Sequence, residues 1–380
     1  MRSNRQETPS LLKQLFPIPT GHNGWEVVGD VADKLTGDLL KFEELTRANK
    51  ANISSVSHYF TDSRARQLVQ LLLDTERMPF VSPRTNVAAE TLFPDLAAFR
   101  KVVRFVSFAM FHAAGTGRSR DCARLVNVGM RIAIAPAPEV HIGTLVSIAC
   151  QSILIRQIAL IAPLLDTEDL DSISRMLHQA VSQRSGYLAA YRGEHRFFIN
   201  MMTKIETWIS DYRPGHSPEA ERELKDFVGN PARWETAKSE AMDFARAELA
   251  EVLRCIDLPI RFNTNRREPQ NPDARMLIGA ILPVSTPSLG RLFSNLTVLR
   301  LTALYCSAWA YRKRTLTWPA RLDDVASKDL YKELVSDQAF VLEQSPGFDS
   351  IRIRSAGIPA ARGQERQVLT VPELPKSMLG

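Results

Sequence analysis

The sequence predicts a mainly α protein: a multi-helix antiparallel bundle or irregular helical array, with a small C-terminal α+β appendix that contains a hairpin. Three observations carry this. Apolar residues recur at helical spacing through most of the chain. Cap residues, prolines and glycines punctuate it into segments of ordinary helix length. Strict two-residue alternation is clearest near the end, in Ile351-Arg352-Ile353-Arg354.

The stretch from Pro138 to Pro163 organises the rest. Its two prolines mark a start and a stop. At about 100° per residue, His141, Thr144, Gln151, Ser152 and Arg156 fall in one narrow arc. Val140, Leu145, Ile148, Ala149, Ile153, Ile155 and Leu160 cover most of the remainder. So wide an apolar face requires sheathing by other helices. The length also suits a membrane span, but Arg156 near the middle would cost about 2.5–3.5 kcal/mol in lipid. The stretch therefore reads as the central helix of a soluble helical domain.

The elements follow in order. Residues 1–21 are polar and proline-punctuated, an extended lead-in. Asn23 with Glu26 forms a capping-box-like start for a first helix. A second helix is expected from Ser54 to Arg77, then a proline-broken loop over 79–94. Asp95 to Ala114 is an aromatic-rich helix, and Gly115-Thr116-Gly117 a turn. Ser119 is placed to cap the next helix, to Ala135. After the central helix, Asp166 or Thr167 caps a helix to Gln183, with Glu168, Asp169 and Asp171 at its positive end. Tyr187 to Ile209 follows, then helices near 218–228 and 231–257, both opened by a cap-then-proline pair. Residues 258–271 form a polar loop, Asn271-Pro272 opens a further helix, and Ser288 to Arg314 is a long one. A short helix over Ala320 to Ala326 precedes a hairpin of Phe340–Glu343 with Ile351–Arg354, and Gln367 to Val371 is a third strand. The organisation is thus lead-in 1–21, helical domain 22–300 and α+β region 301–380, the last two joined through the long helix without a flexible linker.

Composition excludes more than it assigns. The net charge of +6 comes from 48 basic and 42 acidic residues, and the basic residues form no run interleaved with aromatics, which counts against nucleic acid. Cys122, Cys150, Cys255 and Cys306 lie far apart, as buried free thiols rather than zinc ligands. The first residues lack the apolar core of a signal peptide. The chain as given reads as cytoplasmic, or extracytoplasmic if an anchor precedes Met1.

Two stretches carry a resemblance. In ALYCSAWAYRKRTLTWPARLDDVASKDLY, from Ala303, Tyr311, Arg312, Pro319, Leu322 and Asp323 sit on a pattern resembling the tail of type II secretion pseudopilins and of many uncharacterised bacterial proteins. Asp337-Gln338-Ala339-Phe340 and Arg354-Ser355-Ala356-Gly357 stand where those relatives carry an aromatic loop and a closing strand. Trp318 replaces a tyrosine, Leu316 stands near the usual glycine, and the loop lacks its proline and glycine, which counts against a calcium site of the pseudopilin type. His22-Asn23-Gly24-Trp25, the pair of helices from Asp121 to Gln157, and Tyr191-Arg192-Gly193-Glu194 before Phe197-Phe198 resemble a family of large, mostly helical bacterial proteins with the same tail. Its longer members often begin with a membrane anchor, and the resemblance implies no particular reaction.

No catalytic, cofactor or metal motif stands out. There is no HExxH, GxSxG or calcium loop, and Gly115-Thr116-Gly117-Arg118 lacks the lysine of a phosphate loop. Glu194, between Arg192 and Arg196, reads either as a buried acid of altered pKa or as a residue that pairs with an arginine or caps a neighbouring helix. His141 and His178 approach each other if the central helix packs on its successor. Arg192, Glu194, His141 and His178 are therefore the candidate polar pocket. Phe99, Phe105, Phe108, Phe111, Phe197, Phe198 and Trp208 either line an apolar pocket or are core. Arg261 to Arg275 reads as a solvated loop or a contact for an acidic partner. The expectation is a non-enzymatic helical scaffold or interaction protein, envelope-associated in its longer relatives, with a protein partner or an apolar small ligand. The alternative is a small-ligand or lipid binder, or an enzyme, using an interhelical cavity near Glu194.

Overall fold

The computed structural model describes residues 21–35, 53–83, 95–137, 141–211, 222, 226–227, 229–259, 269–281, 285–344 and 351–355. The fold is mainly α with one small antiparallel hairpin. The lead-in before Gly21, residues 260–268 of the polar loop expected over 258–271, most of the 218–228 segment and the strand at 367–371 lie outside the described residues.

Helix α1 (Gly24–Lys34) starts on Asn23, whose Oδ1 accepts from Trp25 N at 3.0 Å. The box with Glu26 is not reciprocal: the Glu26 carboxylate reaches past the cap to Gly21 N at 2.9 Å. Asn23 also bonds the backbone of Val81 through both side-chain atoms, tying the loop after residue 77 to the start of α1. Gly24 allows the approach, since the Phe80 ring stands where a Cβ would be. Arg131 holds the other side of this loop, donating to the carbonyls of Thr75, Glu76 and Met78 while its guanidinium covers Phe80.

The helix expected over 54–77 is two helices, α2 (Ile53–Phe60) and α3 (Ser63–Asp74), followed by a 3-10 turn. Asp62 breaks it. Its carboxylate accepts from Arg64 N at 2.8 Å, an N-cap that competes with helix continuation. Then come α4 (Asp95–Gly115), α5 (Ser119–Ile134) and α6 (His141–Ile161). The α4–α5 turn ends α4 in a Schellman motif: Arg118 N donates to Ala113 O and Gly117 N to Ala114 O, with Gly117 at φ +73°. Ser119 does not cap α5. Its hydroxyl donates to Asp169 at 2.5 Å and accepts from Asp166 N at 2.8 Å, joining the start of α5 to the start of α7 (Thr167–Ser182).

Helix α8 (Tyr187–Asp211) follows a 3-10 turn over Gln183–Gly186. Helix α9 (Pro231–Asp257) is capped by Asn230, and α10 (Pro272–Ile281) follows. Helix α11 (Ser285–Thr315) runs on into the appendix. Leu316 closes it at φ +64°, 85% exposed. The short helix expected over 320–326 is a 3-10 turn, Leu322–Asp324. Strands β1 (Val341–Gln344) and β2 (Ile351–Arg354) pair with Val341 opposite Arg354, one residue beyond the expected limits of the first strand.

Buried apolar residues form two clusters. The larger takes in Trp25, Phe99, Phe105, Leu154, Leu177 and Phe293, and also Leu322, Phe340 and Ile353 of the appendix. The hairpin therefore shares a continuous core with the helices. The smaller cluster joins α8, α9 and α10 through Phe198, Met202, Phe227, Trp234 and Leu277. Phe99 and Phe105 thus lie in one core and Phe198 in the other, and they line no common pocket. The four cysteines are buried and free.

Candidate functional site

Helix α6 packs against α4, α5, α8 and α11. Its residues His141, Thr144, Ser147 and Gln151 repeat at i, i+3, i+6 and i+10, one stripe of the helix. All four are buried. The stripe meets Tyr187, Tyr191 and Glu194 of α8, spaced i, i+4 and i+7, and Ser288, Arg291 and Asn295 of α11, spaced i, i+3 and i+7.

Gln151 is the hub of this polar seam. Its Nε2 donates to Ser147 Oγ and to Tyr187 Oη, both at 2.8 Å, and its Oε1 accepts from Asn295 Nδ2 at 2.7 Å. One amide side chain therefore links three helices. Higher along the stripe, the His141 ring meets the Tyr191 ring edge to face at 5.6 Å, and the Tyr191 hydroxyl bonds Ser288 Oγ at 3.2 Å. Thr144 Oγ1 donates to Ala137 O.

Glu194 accepts from the backbone N–H of His141 at 3.3 Å. A carboxylate from α8 thus satisfies one of the unpaired donors that open α6, where the helix dipole favours a negative charge. Burial raises the Glu194 pKa, and the bond from His141 opposes the rise. Burial, with Arg291 nearby, pushes the His141 ring down to about 4. Burial pushes the Tyr191 hydroxyl up to about 12, and raises Tyr187 as well. At neutral pH the His141 ring and the Tyr187 and Tyr191 hydroxyls are uncharged. A general base needs a pKa near the working pH, which neither tyrosine nor His141 has.

Of the four residues expected to share a pocket, His141 and Glu194 come together. Arg192 is exposed, 100° around α8 from the preceding tyrosine and turned away from the seam. His178 sits on α7 beside Arg300 of α11, away from His141. No cluster of three metal-binding side chains occurs among the described residues. Sequence reading missed Ser147, Tyr187, Ser288 and Asn295. The helical spacing of Tyr187, Tyr191 and Glu194 was the available signal.

No family model, curated protein or solved structure matches this chain. The site has to be read from its own geometry.

At its outer end the seam opens into a cleft lined by Tyr191, Glu194, His195, Glu248, Leu249 and Val252. Its volume is about 10 Å³, room for a single water. The opposite side of α6 has a different character. Ile142 is 52% exposed, and Val146, Ala149, Ile153 and Leu160 are half-buried along the same face, with Arg156 exposed among them. His141–Leu164 is long and apolar enough to cross a membrane, yet half of its most apolar stretch is buried, and His141, Thr144, Ser147 and Gln151 face the seam.

Proposed function

We propose that this chain is a non-enzymatic helical scaffold that presents the outer face of α6 to a protein partner. The observation that carries the reading is the orientation of that helix. Its polar stripe is spent on α8 and α11, and apolar Ile142, Val146, Ala149, Ile153 and Leu160 are left at least partly outside. A row of partly exposed apolar side chains on a rigid helix supports a docking role. The seam supports the same reading, because the hydrogen bonds of Gln151 fix the register of three helices. The cleft beside Glu194, sized for a water, weighs against an organic ligand or substrate there. The likeness of the tail around Tyr311 and Pro319 to envelope-associated bacterial proteins supports a setting at the cell envelope.

A photocrosslinking residue placed at Ile142 or Ile153 in cells tests this. One defined protein product is expected from these positions and none from a control at exposed Arg233. Ile142→Glu, at the exposed position of the row, should abolish a pulldown of that product while leaving the melting temperature within about 2 °C. Equal labelling at the control position, or an undiminished pulldown, overturns the reading.

A further inference from the structure

The outer face of α6 continues onto α4, and the exposed charge of the two helices has one sign. Val106 of α4 and Leu154 of α6 both reach Gly129 of α5, with side-chain carbons 3.0 Å and 3.1 Å from where its Cβ would stand. The two residues therefore point at α5 from neighbouring helices. At about 100° per residue, Arg104 and Phe108 lie about 160° around α4 from Val106, and Ser152 and Arg156 lie about 160° around α6 from Leu154. The sides of α4 and α6 turned away from α5 thus lie next to one another. Burial agrees: Arg100 and Arg156 are exposed, and Phe108 and Phe111 are half-buried. The far border of α4 is closed, since Lys101 Nζ donates to Ala32 O of α1 at 2.6 Å and the His112 ring stacks on Phe60 of α2.

Neither helix exposes a carboxylate. Helix α6 contains none. The one acid of α4, Asp95, is buried, and its Oδ2 accepts from the Trp25 indole N–H at 3.0 Å. The backbone groups of both helices are paired within them, so the face has no strand edge for an extended peptide. It has an apolar row about 27 Å long, from Ile142 to Leu160, with a cation on each helix. A second helix packs along such a row by seating an apolar ridge of its own. Negative charge suits the flanks of that helix.

Resting on the docking role of α6 given above, we propose that the occupant of this face is an acidic amphipathic helix of the partner protein. It lies along the α4–α6 surface, apolar side down, with its carboxylates beside Arg100 and Arg156.

Two synthetic helical peptides with the same leucine stripe are titrated against the full chain by fluorescence anisotropy. One carries glutamate on both flanks of the stripe and the other lysine. The glutamate peptide is expected to bind about tenfold more tightly at low salt, a preference that fades as salt is raised. Arg100→Glu combined with Arg156→Glu should reverse the preference without lowering the melting temperature, because both sites are exposed. A reversal separates charge complementarity from loss of fold, since a damaged face would bind neither peptide. Absence of a preference in the parent chain, or a preference that the double variant keeps, overturns the proposal. Tighter binding to phosphatidylglycerol vesicles than to the glutamate peptide also overturns it and assigns the face to an anionic membrane surface. A product crosslinked at Ile142 whose pulldown survives the double variant overturns the acidic helix and leaves the docking role standing. Absence of any crosslinked product overturns both.

Discussion

Asn295 donates a 2.7 Å hydrogen bond to Gln151, across 144 residues of sequence and between two helices of the core. With Tyr187 and Ser147 on the other end of the same amide, this bond sets how α6, α8 and α11 sit against one another. Buried polar groups of this kind favour one register, because any slip strands a donor in apolar surroundings.

Gln151→Leu should therefore cost about 2–4 kcal/mol, since the buried Asn295 amide N–H would lose its acceptor and the buried Tyr187 hydroxyl oxygen its donor. Adding Asn295→Leu should recover part of the loss by removing an orphan. Urea denaturation of the single and double variants measures this. An unchanged midpoint for Gln151→Leu would show that the seam contributes nothing to stability.

Gly129 lies within α5, where alanine would gain about 1 kcal/mol of helix propensity. A Cβ there would stand 3.0 Å from Val106 Cγ1 and 3.1 Å from Leu154 Cδ2, both buried. Overpacking of that kind costs about 1–3 kcal/mol, so it outweighs the propensity gain. Gly129→Ala is expected to lower the urea midpoint. A rise would mean that α4 and α6 yield more readily than their close packing implies.

Leu316 occupies the left-handed position that ends α11, with its N–H bonded to Arg312 O and its side chain in solvent. A side chain with a Cβ is strained there and glycine is not, while almost no burial is lost on removing the leucine. Leu316→Gly should stabilise by about 0.5–1 kcal/mol, and Leu316→Ala should have little effect. A denaturation midpoint lower for glycine than for alanine would contradict this.

The pH dependence has two opposed parts. His141 and His178 are both held near 4 by burial, while their unfolded values lie near 6.5. Between those values the unfolded chain binds more protons, so stability falls as the pH drops from about 6.5 to about 4. Glu194 acts in the other direction: its raised pKa means that the folded state binds more protons, so its share of stability falls as pH rises through the carboxylate range. Glu194→Gln keeps an acceptor for the His141 N–H and removes a buried charge, so its melting temperature at pH 7 should equal or exceed that of the parent. Thermal melts from pH 4 to 8, with His141→Asn and His178→Asn flattening the acid slope, check both parts. Stability that rises toward pH 4 would refute the histidine assignment.

Much of this was legible in residue order, because burial stripes leave a 3.6-residue period. The limits of α9, α6 and β2 follow from Asn230-Pro231, Pro163 and the alternation at Ile351. Local competition was harder to read. Apolar residues continue on both sides of Asp62, from Tyr59 and Phe60 to Leu68 and Leu72, yet a cap there splits the helix. Ser119 looked like a cap and serves α7 instead, a choice made by a chain segment nearly 50 residues away. The period of α6 showed that it had a polar side but not where that side would face. Partners on α8 and α11 decide this, and they turn Thr144, Ser147 and Gln151 inward while Ile142 comes out.

Helix α11 contributes Leu292, Phe293 and Leu296 to the helical core, and Ile353 of the hairpin belongs to that same cluster. One rod thus serves as backbone to both regions. A protease that nicked the chain just beyond Thr315 would release nothing: the severed hairpin would stay seated until the helices themselves came apart, and the two would melt in a single transition.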